Sequence, residues 1–272
     1  MKLIFLDVDG TLTPPGENVP PQSALDAIHR AQAAGNKVFL CSGRNHGMLA
    51  PLLDYGFDGC IASAGGYVVC GDKVLYDCPM TDEQSRRILS LLEENGIYRT
   101  IEARETSYCD EGTAKFMRLI SGGNSELERW RKALEESLHI LPMREYDGRP
   151  LYKVTLVCER EEQLVPVRAA LDAEFKLVMQ DVFSKNCFNG ELINRAFDKG
   201  RGIRLVAEEL GVPLADTVGF GDSMNDLEMI ETAGVGVCMA NGSAALRRVS
   251  DMVCPAVGED GLAKAFAELK LV

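Results

Sequence analysis

The stretch Leu3-Ile4-Phe5-Leu6-Asp7-Val8-Asp9-Gly10-Thr11 decides the fold. Its large apolar side chains, interrupted by Asp7 and ended by Asp9-Gly10, predict a buried strand that stops at a functional turn. Alternation along such a strand places the Asp7 and Asp9 carboxylates on one side. Two acids so close repel each other unless a cation joins them, and a hard divalent ion such as Mg2+ prefers oxygen ligands. Gly10 permits a sharp turn. Thr11 adds a hydroxyl and an amide at the carboxyl end of the strand, where open α/β sheets hold their ligands. The plainer alternative is an acidic turn with no ligand.

Working outward, a helix is predicted from Ser23 through Leu25, Ile28 and Ala31 to Gly35, then a strand over Lys37–Cys41 and a helix through Met48, Leu49, Leu52 and Leu53. Strand and helix in alternation imply a parallel sheet. The same alternation returns near the carboxyl terminus. Ile203, Val206, Ala207 and Leu210 form a helical stripe, Thr217–Phe220 a strand, Leu227, Ile230 and Ala233 a helix, Val235–Met239 a strand, and Leu262–Leu269 a last helix. Between them lies a different pattern. It has a helix with Ile88, Leu91 and Leu92 inward, a strand near Tyr98–Ala103, a helix with Leu127, Trp130, Leu134 and Leu138 on one stripe, a β-rich run at Lys153–Val157, and a helix starting near Gln163. The expected architecture is α/β: a Rossmann-like parallel-sheet core from residues 1–80 plus 190–272, with an α+β domain, 81–189, inserted into it.

A second acidic cluster, Gly221-Asp222-Ser223-Met224-Asn225-Asp226, follows a predicted strand. Asp222 and Asp226 lie four apart across a strand-to-helix turn, so both can face one cation, directly or through a water. Taken alone, the same residues read as a helix cap. Ser42-Gly43-Arg44 offers a hydroxyl and amides to an anion at a helix start, and Lys199-Gly200 brings a point charge to the same oxygens. Their shared position after successive strands lifts these weak signals above a capping serine or a solvated lysine.

Composition sets the outer bounds. The chain has 272 residues, 46% hydrophobic and 26% charged, with 29 basic against 41 acidic groups and a net charge of -12. Each segment is acidic, which argues against a nucleic-acid partner or an anionic membrane. The amino terminus has too few apolar residues for a signal-peptide core or a membrane span. Nine cysteines, odd in number and free of C-x-x-C pairs, read as reduced, packed thiols of a cytoplasmic protein, Cys60 and Cys70 included. His29, His46 and His139 lack metal-ligand spacing.

The motifs D-V-D-G-T at 7–11, C-S-G-R at 41–44, Tyr152-Lys153-Val154, D-K-G at 198–200, G-D-S-M-N-D at 221–226, V-C-M-A-N at 237–241 and E-D-G at 259–261 resemble, in this order, the haloacid dehalogenase superfamily, and within it the Cof-type branch with a large inserted cap. The resemblance implies a Mg2+-dependent phosphatase acting on a small phosphorylated metabolite, a sugar phosphate first among the candidates, through an aspartyl-phosphate. It implies Asp7 as nucleophile and Asp9 as general acid and base. Ser42, Gly43, Arg44, Lys199 and Asn225 would serve phosphate or substrate. Asp7, the Asp9 carbonyl and Asp222 would ligate Mg2+, with Asp226 in support. At two points the chain departs from the pattern: Ser63-Ala64-Gly65-Gly66 stands where relatives usually show Asn-Gly-Ala, and the segment before Lys199, Glu191-Leu192-Ile193-Asn194-Arg195-Ala196-Phe197-Asp198, keeps the general pattern but supplies Arg195 and Asp198.

Two rival functions share these residues. A phosphomutase or phosphotransferase would pass the same phosphoryl group to a sugar hydroxyl. A non-catalytic phospho-acceptor signalling module would also gather acids, a hydroxyl and a lysine around Mg2+, but Asp9, an acid/base two residues from the nucleophile, would hasten loss of its phosphoryl group.

Overall fold

The computed structural model describes residues 1–113, 140–179 and 187–272. It divides into two compact units, Met1–Asp77 with Phe197–Val272, and Cys78–Ala196. The predicted stripe of Leu127, Trp130, Leu134 and Leu138 lies outside the described residues, as does His139.

The first unit is built on an eight-stranded sheet in the order β14-β13-β12-β1-β2-β3-β4-β5. These strands are β1 (Leu3–Leu6), β2 (Lys37–Cys41), β3 (Gly59–Ala62), β4 (Tyr67–Cys70), β5 (Lys73–Asp77), β12 (Thr217–Gly221), β13 (Val235–Met239) and β14 (Met252–Cys254). From β14 to β3 the pairs are parallel, and β3, β4 and β5 form an antiparallel meander at one edge. All four residues of β1 are fully buried, as a strand covered on both faces requires. Around the sheet lie α1 (Gln22–Ala33), α2 (His46–Leu53), α5 (Lys199–Glu209), α6 (Leu227–Thr232), α7 (Ala244–Val249) and α8 (Gly261–Glu268). Ile203, Val206 and Ala207 of α5 and Met229 of α6 pack against Leu3, Phe5, Phe39 and Ile61 of the sheet. Three of these helices begin with capping side chains: Asn45 accepts from the Met48 amide, Asp198 from the Arg201 amide and Ser243 from the Leu246 amide.

The second unit holds a six-stranded sheet in the order β10-β11-β9-β6-β7-β8, with β6 (Tyr98–Ala103), β7 (Ser107–Cys109), β8 (Ile140–Pro142), β9 (Leu151–Cys158), β10 (Phe175–Met179) and β11 (Phe188–Asn194). Helices α3 (Asp82–Glu94) and α4 (Leu164–Leu171) cover one face through Ile88, Leu92, Leu164, Val167 and Leu171. Pro166 sits in the first turn of α4, where its missing N–H costs nothing. Because β11 pairs with both β9 and β10, residues 190–194 belong to this sheet.

Candidate active site

The site lies at the carboxyl ends of the parallel strands β1, β2 and β12, joined by the start of α5. The sheet extends one residue past β1, since the Asp7 amide donates to the Phe220 carbonyl at 2.9 Å. The chain then turns. The strand has ended by Asp9, so alternation no longer governs its side chain, and Asp7 and Asp9 take different partners. Gly10 has φ +83°, and a Cβ there would fall 2.4 Å from Asp222 Oδ2, so the two acidic turns touch only because Gly10 lacks a side chain.

Lys199, 1% exposed, is the cation at the centre. Its ammonium donates to Asp7 Oδ1 at 2.7 Å and Asp226 Oδ1 at 2.5 Å, with Asn225 Oδ1 at 3.5 Å. Asp226 Oδ2 accepts from the amides of Asp222 and Ser223 at 2.9 and 3.0 Å. Both oxygens of Asp226 are thus engaged, and it fixes Lys199 and the 222–223 turn from behind. Asn225 also accepts from the Ser223 hydroxyl at 2.9 Å.

Asp7, Asp222 and Asp226 each bring a carboxylate oxygen within 4.8 Å of the others, and all three are buried. Burial, and next the Asp226 carboxylate, push the Asp7 carboxyl up to about 7 against the pull of Lys199. Asp222 is driven well above the usual carboxylate range, first by burial and then by Asp226 and Asp7. Burial works against the Lys199 charge, but Asp226 and Asp7 outweigh it and hold its pKa well above the ordinary lysine value. One ammonium among three buried carboxylates leaves negative charge in surplus. That surplus, on hard oxygen donors, fits a divalent cation such as Mg2+.

A pH dependence follows for the metal-free protein. The native Asp7 carboxyl titrates at about 7 against 3.8 for an ordinary carboxyl, so between these values the folded state binds a proton that the unfolded chain has lost. The stabilisation is complete below about pH 4 and disappears as pH rises through about 7. With EDTA present, the melting temperature of the parent should therefore fall from pH 5 to pH 8 relative to Asp7→Asn. Parallel curves for the two proteins would contradict this account.

The turn after β2 places Ser42 and Arg44 beside the first acidic turn. Ser42, 2% exposed, accepts from the Arg44 amide at 3.2 Å. The Arg44 guanidinium does not stand open to solvent: Nε donates to Asp9 Oδ2 at 2.8 Å and Nη2 to Asp9 Oδ1 at 2.7 Å. Thr11 is wholly buried, with its amide donating to the Val8 carbonyl at 3.3 Å and its hydroxyl unpartnered.

The departing segment Ser63-Ala64-Gly65-Gly66 forms a single 3-10 turn over Ser63–Gly65, in which Ser63 and Ala64 have φ of 50° and 57°. Its conformation follows from what it touches. The Ser63 and Ala64 amides donate to the Arg44 and Ser42 carbonyls at 2.8 and 3.0 Å, and a Cβ on Gly65 would lie 2.3 Å from the Asp198 carbonyl oxygen. The turn buttresses the Ser42 loop on one side and the cap of α5, hence Lys199, on the other.

Three further residues belong to this machinery without having been singled out as site residues. Gly16 donates its amide to Asp9 Oδ1 at 2.8 Å, and Asn18 Oδ1 accepts from Arg44 at 2.5 Å. Asn241 donates to the Gly10 carbonyl at 2.8 Å. Only Asn241 had a signal, its place in V-C-M-A-N. His29 and His46 stay apart from the cluster, one on the Tyr55 carbonyl and the other edge-on to the Tyr67 ring. All nine cysteines are free thiols, seven of them buried, and burial pushes the Cys41 thiol well up.

Known proteins resemble this chain along nearly its whole length. The family described as haloacid dehalogenase-like hydrolase matches residues 4–266. YkrA of Bacillus subtilis (strain 168), which carries a phosphatase name, is 30% identical over 272 residues, spanning 100% of this chain and 98% of YkrA. The pyridoxal phosphate phosphatase YbhA of Escherichia coli (strain K12) is 23% identical over 261 residues, 93% of this chain and 92% of YbhA. The solved structure of the subclass IIB sugar phosphatase BT4131 is similar in fold, with a TM-score of 0.77 at 23% identity over all of both chains. The match to the family along nearly the whole sequence, and the full-length similarity to YkrA, make this chain an enzyme of the haloacid dehalogenase-like hydrolase family, in its Cof-type branch.

Proposed function

We propose that the chain is a Mg2+-dependent phosphatase that hydrolyses a small phosphorylated metabolite of the sugar-phosphate class through an aspartyl-phosphate at Asp7. The observation that carries this reading is the buried Lys199 ammonium shared by Asp7 and Asp226, with Asp222 completing an acidic triad. Asp7 attacks phosphorus. Asp9 protonates the leaving oxygen and then takes a proton from the attacking water. Lys199, Ser42 and the Gly43 amide hold phosphoryl oxygens, and Asn225 orients Lys199. Asp7, the Asp9 carbonyl and Asp222 hold Mg2+, with Asp226 behind them. Bound Mg2+ supplies the charge neutralisation that lets a carboxylate approach an anionic ester. The second unit, Cys78–Ala196, acts as the specificity domain. No helix among the described residues is long and apolar enough to cross a membrane, and the free cysteines support a reducing compartment such as the cytoplasm.

The names of relatives point to different substrates, pyridoxal phosphate for YbhA and a sugar phosphate for BT4131. A phosphate-release screen over phosphorylated metabolites with Mg2+, ranked by kcat/KM, tests the class. Release of inorganic phosphate without an acceptor sugar is expected. Transfer to an acceptor with no free phosphate would favour the phosphotransferase reading.

Metal removal gives a second test. EDTA should stop turnover, and Mg2+ at about 100 times its Kd should restore it and stabilise the protein by about 2.7 kcal/mol. Unchanged turnover in EDTA would contradict the role given to the triad.

A further inference from the structure

We infer that Arg44, held by Asn18, is the positioning residue for Asp9 and serves the leaving-group side of the reaction, not the phosphoryl oxygens. The inference rests on Asp9 being the acid and base of the proposed phosphatase. Arg44 is 2% exposed and Asp9 7%. Nε and Nη2 of Arg44 grip both oxygens of the Asp9 carboxylate, a parallel fork that fixes the plane as well as the position of the acid. Nη2 also donates to the Glu17 carbonyl at 3.2 Å, and Nη1 to Asn18 Oδ1 at 2.5 Å. Nε–H, both N–H groups of Nη2 and one of Nη1 are thereby taken, out of the five a guanidinium carries. A two-pronged grip on phosphate would require Arg44 to release Asp9 or the loop.

The loop is itself built around this pair. Gly16 donates its amide to Asp9 Oδ1 at 2.8 Å, and the Thr13 hydroxyl donates to the Glu17 carbonyl at 3.1 Å. The 13–18 loop and Arg44 therefore both hold Asp9, and Arg44 in turn holds the loop through Glu17 and Asn18. The two acids of the first motif end up with separate cations, Lys199 for Asp7 and Arg44 for Asp9. Different partners let neighbouring carboxyls carry different tasks.

The step served is specific. As the bond from Asp7 to phosphorus forms and the bond from phosphorus to the ester oxygen breaks, the proton of Asp9 passes to that oxygen and the alcohol departs. Asp9 then takes a proton from the water that attacks phosphorus, the bond from phosphorus to Asp7 breaks, and phosphate leaves with Asp9 protonated again. Only the first half depends on how badly the leaving oxygen needs a proton. An alkyl alkoxide needs one, whereas p-nitrophenolate, whose conjugate acid has a pKa of about 7, does not.

The test compares kcat/KM, which reports events through the first phosphoryl transfer, for an alkyl phosphate and p-nitrophenyl phosphate. Arg44→Met should lower the alkyl value by about 10²-fold and the p-nitrophenyl value by no more than roughly threefold. Arg44→Lys should fall between parent and Arg44→Met, since an ammonium cannot reproduce the fork. Asn18→Ala, at a partly exposed loop position, should show the same selective loss at about tenfold, and it reads the effect even if Arg44→Met fails to fold. Equal losses on both esters, or a rise in KM alone, would overturn the assignment and return Arg44 to phosphate binding. Asp9→Asn is the control. If it lowers both esters equally, Asp9 is not the acid and the inference falls with that reading. If Asp9→Asn is selective and Arg44→Met is not, only the inference fails.

Discussion

Phosphate release should fall by at least about 10³-fold in Asp7→Asn at saturating Mg2+, with the fold retained. The amide oxygen of Asn is a poor nucleophile toward phosphorus, and Asp7 is the group proposed to attack it. Its backbone amide donates to the Phe220 carbonyl, and its carboxylate accepts from Lys199 at Oδ1. The substitution is nearly isosteric, so the loss reports chemistry and not packing. It also removes one carboxylate from a buried cluster that holds more negative charge than Lys199 balances. Metal-free Asp7→Asn should accordingly melt no lower than the parent at pH 8. A variant that retained near-parent hydrolysis would show that phosphorus is attacked by something else.

Lys199→Met should combine a large loss of activity with a large loss of stability. The ammonium is buried and bonded to two carboxylates, Asp7 and Asp226, beside a third, Asp222. Removing one partner of such a pair leaves uncompensated buried charge, and the cost is about 3–5 kcal/mol. In thermal denaturation without metal that corresponds to a fall of about 10 °C. Turnover should drop by about 10²–10³-fold, since the cation proposed to hold the phosphoryl oxygens is gone. Mg2+ should recover part of the stability and little of the activity, because a metal can offset the surplus charge without replacing a donor in that position. Recovery of both by Mg2+ would contradict the phosphate-binding role of Lys199.

Much of this site could be read from the sequence because its carriers sit in short, local patterns. Asp7–Thr11 and Gly221–Asp226 each combine a strand end, a turn glycine and acids at close spacing, and the fold brings both turns into contact at Gly10. Strands form over Val235–Met239 and Tyr98–Ala103, as the sequence predicts. The helix at Lys199 begins where Asp198 can cap it. What was not legible depends on partners distant in sequence. Nothing in residues 3–11 reveals that Asp9 turns to Arg44, 35 residues on, while Asp7 turns to Lys199, 192 residues on. Asn18 belongs to no periodic stripe and no motif, yet it sits directly on the guanidinium. Ala233 continues the apolar stripe of its helix but lies just beyond the helix end, in an extended conformation with φ -63° and ψ 150°. Local pattern says which residues can do chemistry; tertiary contact decides which of them act together.

The most direct measurement is chemical trapping of the covalent intermediate. Asp9→Asn, which slows water attack on the acyl phosphate, is mixed with p-nitrophenyl phosphate and Mg2+, quenched in acid and reduced with borohydride, and the peptide carrying residues 3–11 is read by mass spectrometry. Reduction of residue 7 to homoserine is expected, dependent on both substrate and Mg2+ and absent when Asp7 is also replaced by Asn. Homoserine at another position, or undiminished phosphate release from Asp7→Asn, would contradict it.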